Sequence, residues 1–333
     1  MSVLSSTLDT LLDHAKQFAP DGNIADYVEM LSQDNEILQD MPYIEANKMT
    51  SHQYTVEAGL PTVYWKMLGA GVLASNGQFA QIEDACAMLE SWSIVEKKLA
   101  DLGGQPAKYR MNKARQHLSA MGIETAQTMF YGAASSPEEF IGLSPRYSSL
   151  SAVNGENILN GGGTGSDNAS IWLLGMGESK IHGIYAKGTK AGIERVDHGQ
   201  QVEQSFGGVT GAQAVVYKEQ FSLQTGIAVA DWRYGVRIAN IDISNLVGKS
   251  SAADLMELMI KAIYRIPNNG NGTRLKFYMN RTCQEFLDLQ GRDTTIAGGG
   301  INAENIGGKR MLSFRGVPIG RCDALLETES AVS

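Results

Sequence analysis

Asp197 and His198 are neighbours in the chain, and a carboxylate beside an imidazole is the pair a hydrolase uses to orient a general base. Adjacent strand residues point to opposite faces, however, and Gly199 follows, so a surface turn is the plainer expectation. Gly248-Lys249-Ser250 has the ending of a phosphate-binding loop, but the glycine required five positions before Gly248 is replaced by Ile243. Gly161-Gly162-Gly163-Thr164-Gly165 precedes an expected strand, whereas anion cradles of that kind open a helix. Both it and Gly298-Gly299-Gly300 read as loops. Ser166-Asp167-Asn168 matches a tripeptide of penicillin-recognising enzymes, without the Ser-x-x-Lys and Lys-Thr-Gly that give it meaning. The paired carboxylates Glu138 and Glu139 suit the first turn of a helix, where negative charge is favoured. His14, His52, His117, His182 and His198 show no metal-ligand spacing. Cys86, Cys283 and Cys322 are far apart and form no CxxC, which fits reduced thiols in a cytoplasm. No catalytic residue, metal site or cofactor is nominated.

The elements that would have to position such groups are easier to place. Leu4, Leu8, Leu11 and Leu12 recur at helical spacing, as do Tyr27, Met30 and Leu31, with the breaker Pro20-Asp21-Gly22-Asn23 between them. Two helices this short are marginal alone and need another surface. Residues 51–68 read as a hairpin. His52, Tyr54 and Val56 alternate with polar neighbours, Ala58-Gly59-Leu60-Pro61 supplies the turn, and Thr62-Val63-Tyr64-Trp65 returns. Residues 82–102 look helical or mixed. Pro106 opens the clearest helix, with Met111, Ala114, Leu118, Met121, Thr125 and Met129 on one face and Gly132 after its last turn. Lys108, Arg110, Lys113 and Arg115 lie on its other face. The plain expectation there is a solvated surface; the sharper one is contact with a polyanion or with an acidic arm. Strands are expected at 170–174, 180–185, 212–217, 226–230 and 234–243. Helices at 252–266 and 282–289 flank a strand at 275–279. A glycine-rich loop at 291–308 and strands near 311–314 and 317–319 follow.

Composition bounds the function. The 333 residues are 43% hydrophobic and 19% charged, with 37 glycines and 8 prolines, so the chain folds and turns often. Apolar runs fall short of the roughly 18 residues a membrane helix needs, and the first twenty residues lack a secretory apolar core. The net charge of -8 is concentrated at the start, where residues 1–50 hold nine acids against two bases. A nearly neutral remainder argues against a dedicated nucleic-acid binder, which needs clustered Lys and Arg.

Five motifs occur in a fixed order. Gly59-Leu60-Pro61-Thr62-Val63 leads into Trp65-Lys66, and Phe140-Ile141-Gly142-Leu143-Ser144-Pro145-Arg146-Tyr147 comes next. Gly163-Thr164-Gly165-Ser166-Asp167-Asn168 precedes Ser170-Ile171-Trp172, and His182-Gly183-Ile184-Tyr185 precedes Lys187-Gly188. Asp231-Trp232-Arg233-Tyr234 precedes Val236-Arg237-Ile238-Ala239-Asn240. On these residues the chain resembles the major capsid proteins of short-tailed, double-stranded DNA phages of the epsilon15 and BPP-1 kind.

The resemblance implies an α+β chain with the tailed-phage capsid fold of the Hong Kong 97 type. It implies an N-arm at 1–45 and an E-loop hairpin at 46–81. A peripheral domain at 82–245 and 310–333 would hold the spine helix, about 106–131, and an axial domain would span 246–309. The implied function is structural: self-assembly into pentamers and hexamers of an icosahedral shell around phage DNA. Implied partners are further copies of the chain, scaffold, portal and cement or decoration proteins, and non-specific contact with packaged DNA, with no membrane and no cofactor. The protein would be made in the host cytoplasm and reside in the virion. Inter-subunit contact is expected at Leu8, Leu11, Tyr54, Gly59, Pro61, Tyr64 and Trp65, because a two-stranded hairpin is marginal unless it lies on something. The type member's covalent cross-link uses a Lys–Asn pair; Lys66 lies in the hairpin, and a solvated lysine is expected there. The alternatives are an encapsulin-like shell, which shares the fold, and a hydrolase using Asp197 and His198.

Overall fold

The computed structural model describes residue 33 and residues 35–102, 104–204, 210–248, 252–270, 272–293, 301–306 and 309–333. Leu8, Leu11, the two leucine-rich segments, Lys249-Ser250 and Gly298–Gly300 lie outside them. In chain order the elements are α1 (Ile37–Asp40), β1 (Tyr43–Glu45), β2 (Ser51–Gly59), β3 (Gln78–Ala85), β4 (Ala87–Glu96), α2 (Lys97–Asp101) and α3 (Pro106–Tyr131). There follow α4 (Leu143–Arg146), β5 (Ile158–Asn160), β6 (Asn168–Met176), β7 (Ile181–Tyr185), β8 (Glu194–Gln204), β9 (Gln213–Val229), β10 (Gly235–Asp242) and α5 (Ile243–Gly248). The chain closes with α6 (Leu255–Arg265), β11 (Arg274–Met279), α7 (Arg281–Asp293), β12 (Ile301–Ile306), β13 (Lys309–Phe314) and β14 (Val317–Arg321).

Two compact units result. The smaller contains Met88–Thr125 and Gly192–Gln224. Here α3 lies on β4 and β9: Ala114 and Met121 pack on Phe221, Leu223 and Leu89, and Val95 and Ala100 pack on Tyr109 and Tyr217. Strand β8 pairs antiparallel with β9, from Glu194↔Ser222 to Gln204↔Gln213, and is exposed along most of its length. The stripe expected on α3 is only partly right. Met111 and Leu118 face solvent, while Tyr109, Asn112 and Phe130 are buried instead.

The larger unit contains Asp34–Ala87, Ala126–Ala191 and Thr225–Ser333. Its sheet runs β12-β13-β14-β11-β6-β7-β9, with β1 on β7 and β10 joining β6 to β5. Strand β6 is buried on both faces, and its period of two divides its side chains between two cores. Trp172, Leu174 and Met176 meet Phe130, Tyr147 and Tyr278 on one side. Ala169, Ile171 and Leu173 meet Leu255, Met259 and Phe277 on the other, beneath α6 and α7. Asp254 caps α6 by accepting from the Glu257 amide at 3.0 Å.

A buried ion pair ties the end of the chain to this sheet. Arg237 Nη2 lies 2.8 Å from Glu329 Oε2, both side chains being 6% exposed or less. Ser170 and Tyr131 donate to the same carboxylate, and Arg237 also donates to the Tyr147 carbonyl at 2.8 Å. Its guanidinium sits over the Trp172 ring, 5.4 Å from the centroid.

Several expectations need correction. The strand that returns from β2 is β3, in register from Ser51↔Ala85 to Glu57↔Phe79, and not Thr62–Trp65. Pro61 cannot donate to a ladder, and the apolar residues after it have no cover. Residues 82–102 are mostly strand, with one helical turn at their end. The strands expected at 212–217 and 226–230 are the two ends of β9. Lys218-Glu219-Gln220 disguised the join, since Glu219 is buried and neutralised by arginines. Glu138 and Glu139 sit in an exposed turn, not a helix, and Asp197-His198 lie within β8. Residues 301–306 of the expected glycine loop form β12, paired with β13. Within the stretch expected as the arm, Asn35 bridges Cys322 and β1 pairs in parallel with β7.

Gly132 ends α3 for a steric reason. A Cβ there would lie 2.2 Å from the Phe140 carbonyl oxygen and 2.8 Å from that of Thr128. Gly132→Ala is therefore expected to cost about 1–3 kcal/mol or more, because an overpacked interior must shift backbone. Urea unfolding of the unassembled subunit measures this; a loss within about 0.5 kcal/mol would show that the turn yields.

Candidate functional site

Beyond β2 and β3 the hairpin carries a long tip of unusual composition. Leu60, Val63, Tyr64, Trp65, Met67, Leu68, Val72 and Leu73 all occur between residues 60 and 77, and every one is exposed. Trp65 is 104% exposed, so it packs on nothing in the larger unit. The tip has local order of its own. The Thr62 amide donates to Ser75 Oγ at 2.8 Å, and the Ala70 amide reaches the Met67 carbonyl around Gly69, whose φ is 87°. Contiguous exposed apolar surface of this kind is uncommon on monomeric proteins.

The base of the hairpin is the opposite. Asp84 is 4% exposed, and its Oδ1 lies 2.7 Å from Arg146 Nη2. Asp84 Oδ2 accepts from the Val229 amide at 3.2 Å and lies 2.8 Å from the Tyr54 hydroxyl, which donates to the Val229 carbonyl at 2.7 Å. Burial, reinforced by the Asp84 charge, holds the Tyr54 phenol well above its ordinary range. The Cys86 thiol is pushed up to about 11 by burial and the same carboxylate, which leaves it protonated and inert at neutral pH. Gly226 lets β9 approach, since a Cβ there would meet the Ala85 carbonyl oxygen at 2.6 Å. A rigid foot therefore carries an apolar tip.

In the smaller unit the four bases of α3 are not equivalent. Arg110 lies 2.6 Å from Asp197 Oδ2 and 2.5 Å from Glu219 Oε1, with its guanidinium 4.7 Å from the centre of the Tyr217 ring. Arg195 holds the other Glu219 oxygen at 2.9 Å. Arg115 is exposed, and Lys108 and Lys113 are half-buried. Arg110 is thus committed to a carboxylate cluster of its own chain.

The same cluster answers the hydrolase alternative. The Arg110 hydrogen bond and then the Gly199 amide hold Asp197 below the usual carboxylate range. His198 faces elsewhere: it stacks on Trp92 with centroids 5.4 Å apart and meets Gln220 through Nε2. The two side chains have separate partners and form no dyad. Among the described residues no group of three or more His, Cys, Asp or Glu could hold a metal ion.

Of the residues expected at a contact, the structure brings Trp65, Tyr64 and Pro61 together on the exposed tip and places Gly59 at the bulged end of β2. Tyr54 belongs to the foot. Asp84 has no signal in a stretch that reads as mixed, and the motifs that contain Arg146 and His182 do not show that these residues meet the hairpin. The alternation Phe79-Ala80-Gln81-Ile82 was the signal that could have found β3.

The family model for major capsid protein GP7 matches residues 19–333. A structure of bacteriophage epsilon15 is similar over 100% of this chain and 99% of its own, at 29% identity and a TM-score of 0.81. The bacteriophage JBD30 capsid aligns over 97% of this chain and 96% of its own, at 9% identity and a TM-score of 0.45. An encapsulin complex from Synechococcus elongatus aligns over 66% of this chain and 93% of its own, at 11% identity and a TM-score of 0.43. No curated protein matches.

Proposed function

Because the chain belongs to the major capsid protein GP7 family and forms the icosahedral shell of a phage, we propose that the tip of its hairpin is a contact between neighbouring subunits. The observation that carries this reading is the row of exposed apolar residues from Leu60 to Leu73, raised on a foot fixed by Asp84, Arg146 and Tyr54. Its fold is the α+β capsid fold of the Hong Kong 97 type. In that fold's terms residues 46–81 act as the E-loop, 1–45 as the N-arm, 246–309 as the axial domain and the remainder as the peripheral domain around the spine helix α3. The chain works as a structural component without catalysing a reaction. Scaffold, portal and cement proteins are its further partners, packaged DNA touches it non-specifically, and synthesis takes place in the host cytoplasm. Contact of Lys108, Lys113 and Arg115 with an acidic arm or a polyanion belongs to the same reading, whereas Arg110 is engaged by Asp197 and Glu219.

Closed shells need heterologous contacts repeated around rotation axes. Sedimentation and electron microscopy of the full chain, expressed with its own scaffold, should show closed particles of megadalton size. A stable monomer under every assembly condition would overturn the reading.

A further inference from the structure

Two histidines meet at the foot of the hairpin. The His52 ring on β2 and the His182 ring on β7 stand 5.7 Å apart between centroids, at 90° to one another. His182 is 1% exposed. His52 Nδ1 and both ring nitrogens of His182 are buried without a hydrogen-bond partner. A neutral imidazole carries one N–H and one lone pair, so His182 leaves both unsatisfied, and an imidazolium there would leave two donors unsatisfied.

The Gly177 backbone approaches the His182 ring and favours its charged form, though without good hydrogen-bond geometry, and the other surrounding groups are already engaged. On β2, Tyr54 stands 6.1 Å from His52 by ring centroids, but its one hydroxyl proton is shared between Asp84 and the Val229 carbonyl. On β3, Asp84 is the nearby carboxylate, and its oxygens serve Arg146, Tyr54 and the Val229 amide. Arg146 on α4 brings a positive charge to the same cluster. On β1, Tyr43 packs over Gly183, and burial pushes its phenol up to about 12, so it stays neutral. Cys86 beyond β3 is a neutral thiol. Glu178, before β7, favours an imidazolium electrostatically, as Asp84 does. Burial and then the neighbouring His52 outweigh these two and the Gly177 backbone, and hold His182 below the ordinary histidine range.

We propose that the His52–His182 contact makes the seating of the hairpin proton-sensitive: with the His182 ring neutral the foot closes on the sheet, and its protonation unseats it. The sign follows from where protons bind better. An unseated His182 returns to water and to a value near 6.5. The open form therefore binds more protons wherever the pH lies below that value and above the lowered one of the closed form. Closure is at full strength above about pH 6.5 and weakens as the pH falls through that window. The residues that move with the foot are β2, β3 and the apolar tip they carry. The inference concerns the foot alone and holds whether or not the tip docks on a neighbour.

Hydrogen exchange on the unassembled full chain tests it. Amides of residues 51–56, 81–85 and 226–229 are compared at pH 7.5 and 5.5, corrected for intrinsic exchange, with β10 and β11 as internal references. Protection at the foot should fall severalfold relative to the references, because the open form takes up the proton that the closed form disfavours. In His52→Gln/His182→Gln the drop should shrink to about twofold or less. Should the double variant fold poorly, His52→Gln alone, made on the half-buried ring, should reduce the drop. Wild-type protection that is the same at both pH values overturns the proposal, as does an equal drop in the double variant.

Discussion

Replacing Glu329 by alanine is expected to destabilise the unassembled subunit by about 3–5 kcal/mol, because it leaves the Arg237 guanidinium buried and unpaired. Arg237 cannot shed its charge by losing a proton, since guanidinium stays protonated at any ordinary pH. Its remaining partners, Ser170 Oγ at 3.1 Å and the Tyr147 carbonyl at 2.8 Å, are neutral. Tyr131 also loses its acceptor, and its phenol is one that burial and the Glu329 charge already push above the ordinary range. The prediction discriminates through a second variant. Arg237→Met with Glu329→Leu removes both charges and should recover much of the loss, as apolar replacements of buried ion pairs often do. Urea unfolding monitored by tryptophan fluorescence measures all three proteins. A loss below about 1 kcal/mol for Glu329→Ala would mean that water reaches Arg237 and the pair is effectively superficial.

Trp65→Ala should leave the subunit intact and abolish most particle formation. The side chain is fully exposed, so its removal takes nothing from the subunit's own interior. If a neighbour buries it, about 150–250 Å² leaves water at each contact. At roughly 25 cal/mol per Å² that gives an upper bound near 4–6 kcal/mol. Even a third of this, repeated around every ring of subunits, decides whether shells persist. Circular dichroism and the melting temperature should move little, while the yield of sedimenting particles collapses. A melting temperature lowered by several degrees would show that Trp65 supports its own subunit, and normal yield would show that the tip is not the contact.

The sequence made some of this architecture legible and hid the rest for identifiable reasons. Helix α3 was readable because Pro106 and Gly132 mark its ends and a 3.6-residue period runs between them. Strands β6, β7, β10 and β11 were readable because they are buried and apolar. What failed was pairing at a distance. The partner of β2 lies beyond residues 60–77, and nothing local to Ser51–Gly59 points across that gap. The charged middle of β9 looked like a break because Glu219 reads as a surface residue unless Arg110 and Arg195 are known to face it. The foot was invisible for the same reason: His52 and His182 are lone histidines until β2 and β7 are brought together. The exposed tip, by contrast, was visible as an aromatic, proline-led hairpin with no core of its own.

The larger unit is sealed from both directions of the chain. Cys322 Sγ donates to Asn35 Oδ1 across 287 positions of sequence, and Lys276 binds Glu36 and Asp40. Glu329 then closes over Arg237. During synthesis, a ribosome that has delivered β1 to β11 has still not supplied β14 or the latch, so the sheet stays incomplete until Glu329 has emerged. Long-range closure of this kind is slow and comes late. The fold itself is then a clock. A chain without β14 and the latch lacks part of this sheet, and it is expected to join a shell only after Glu329 has closed over Arg237.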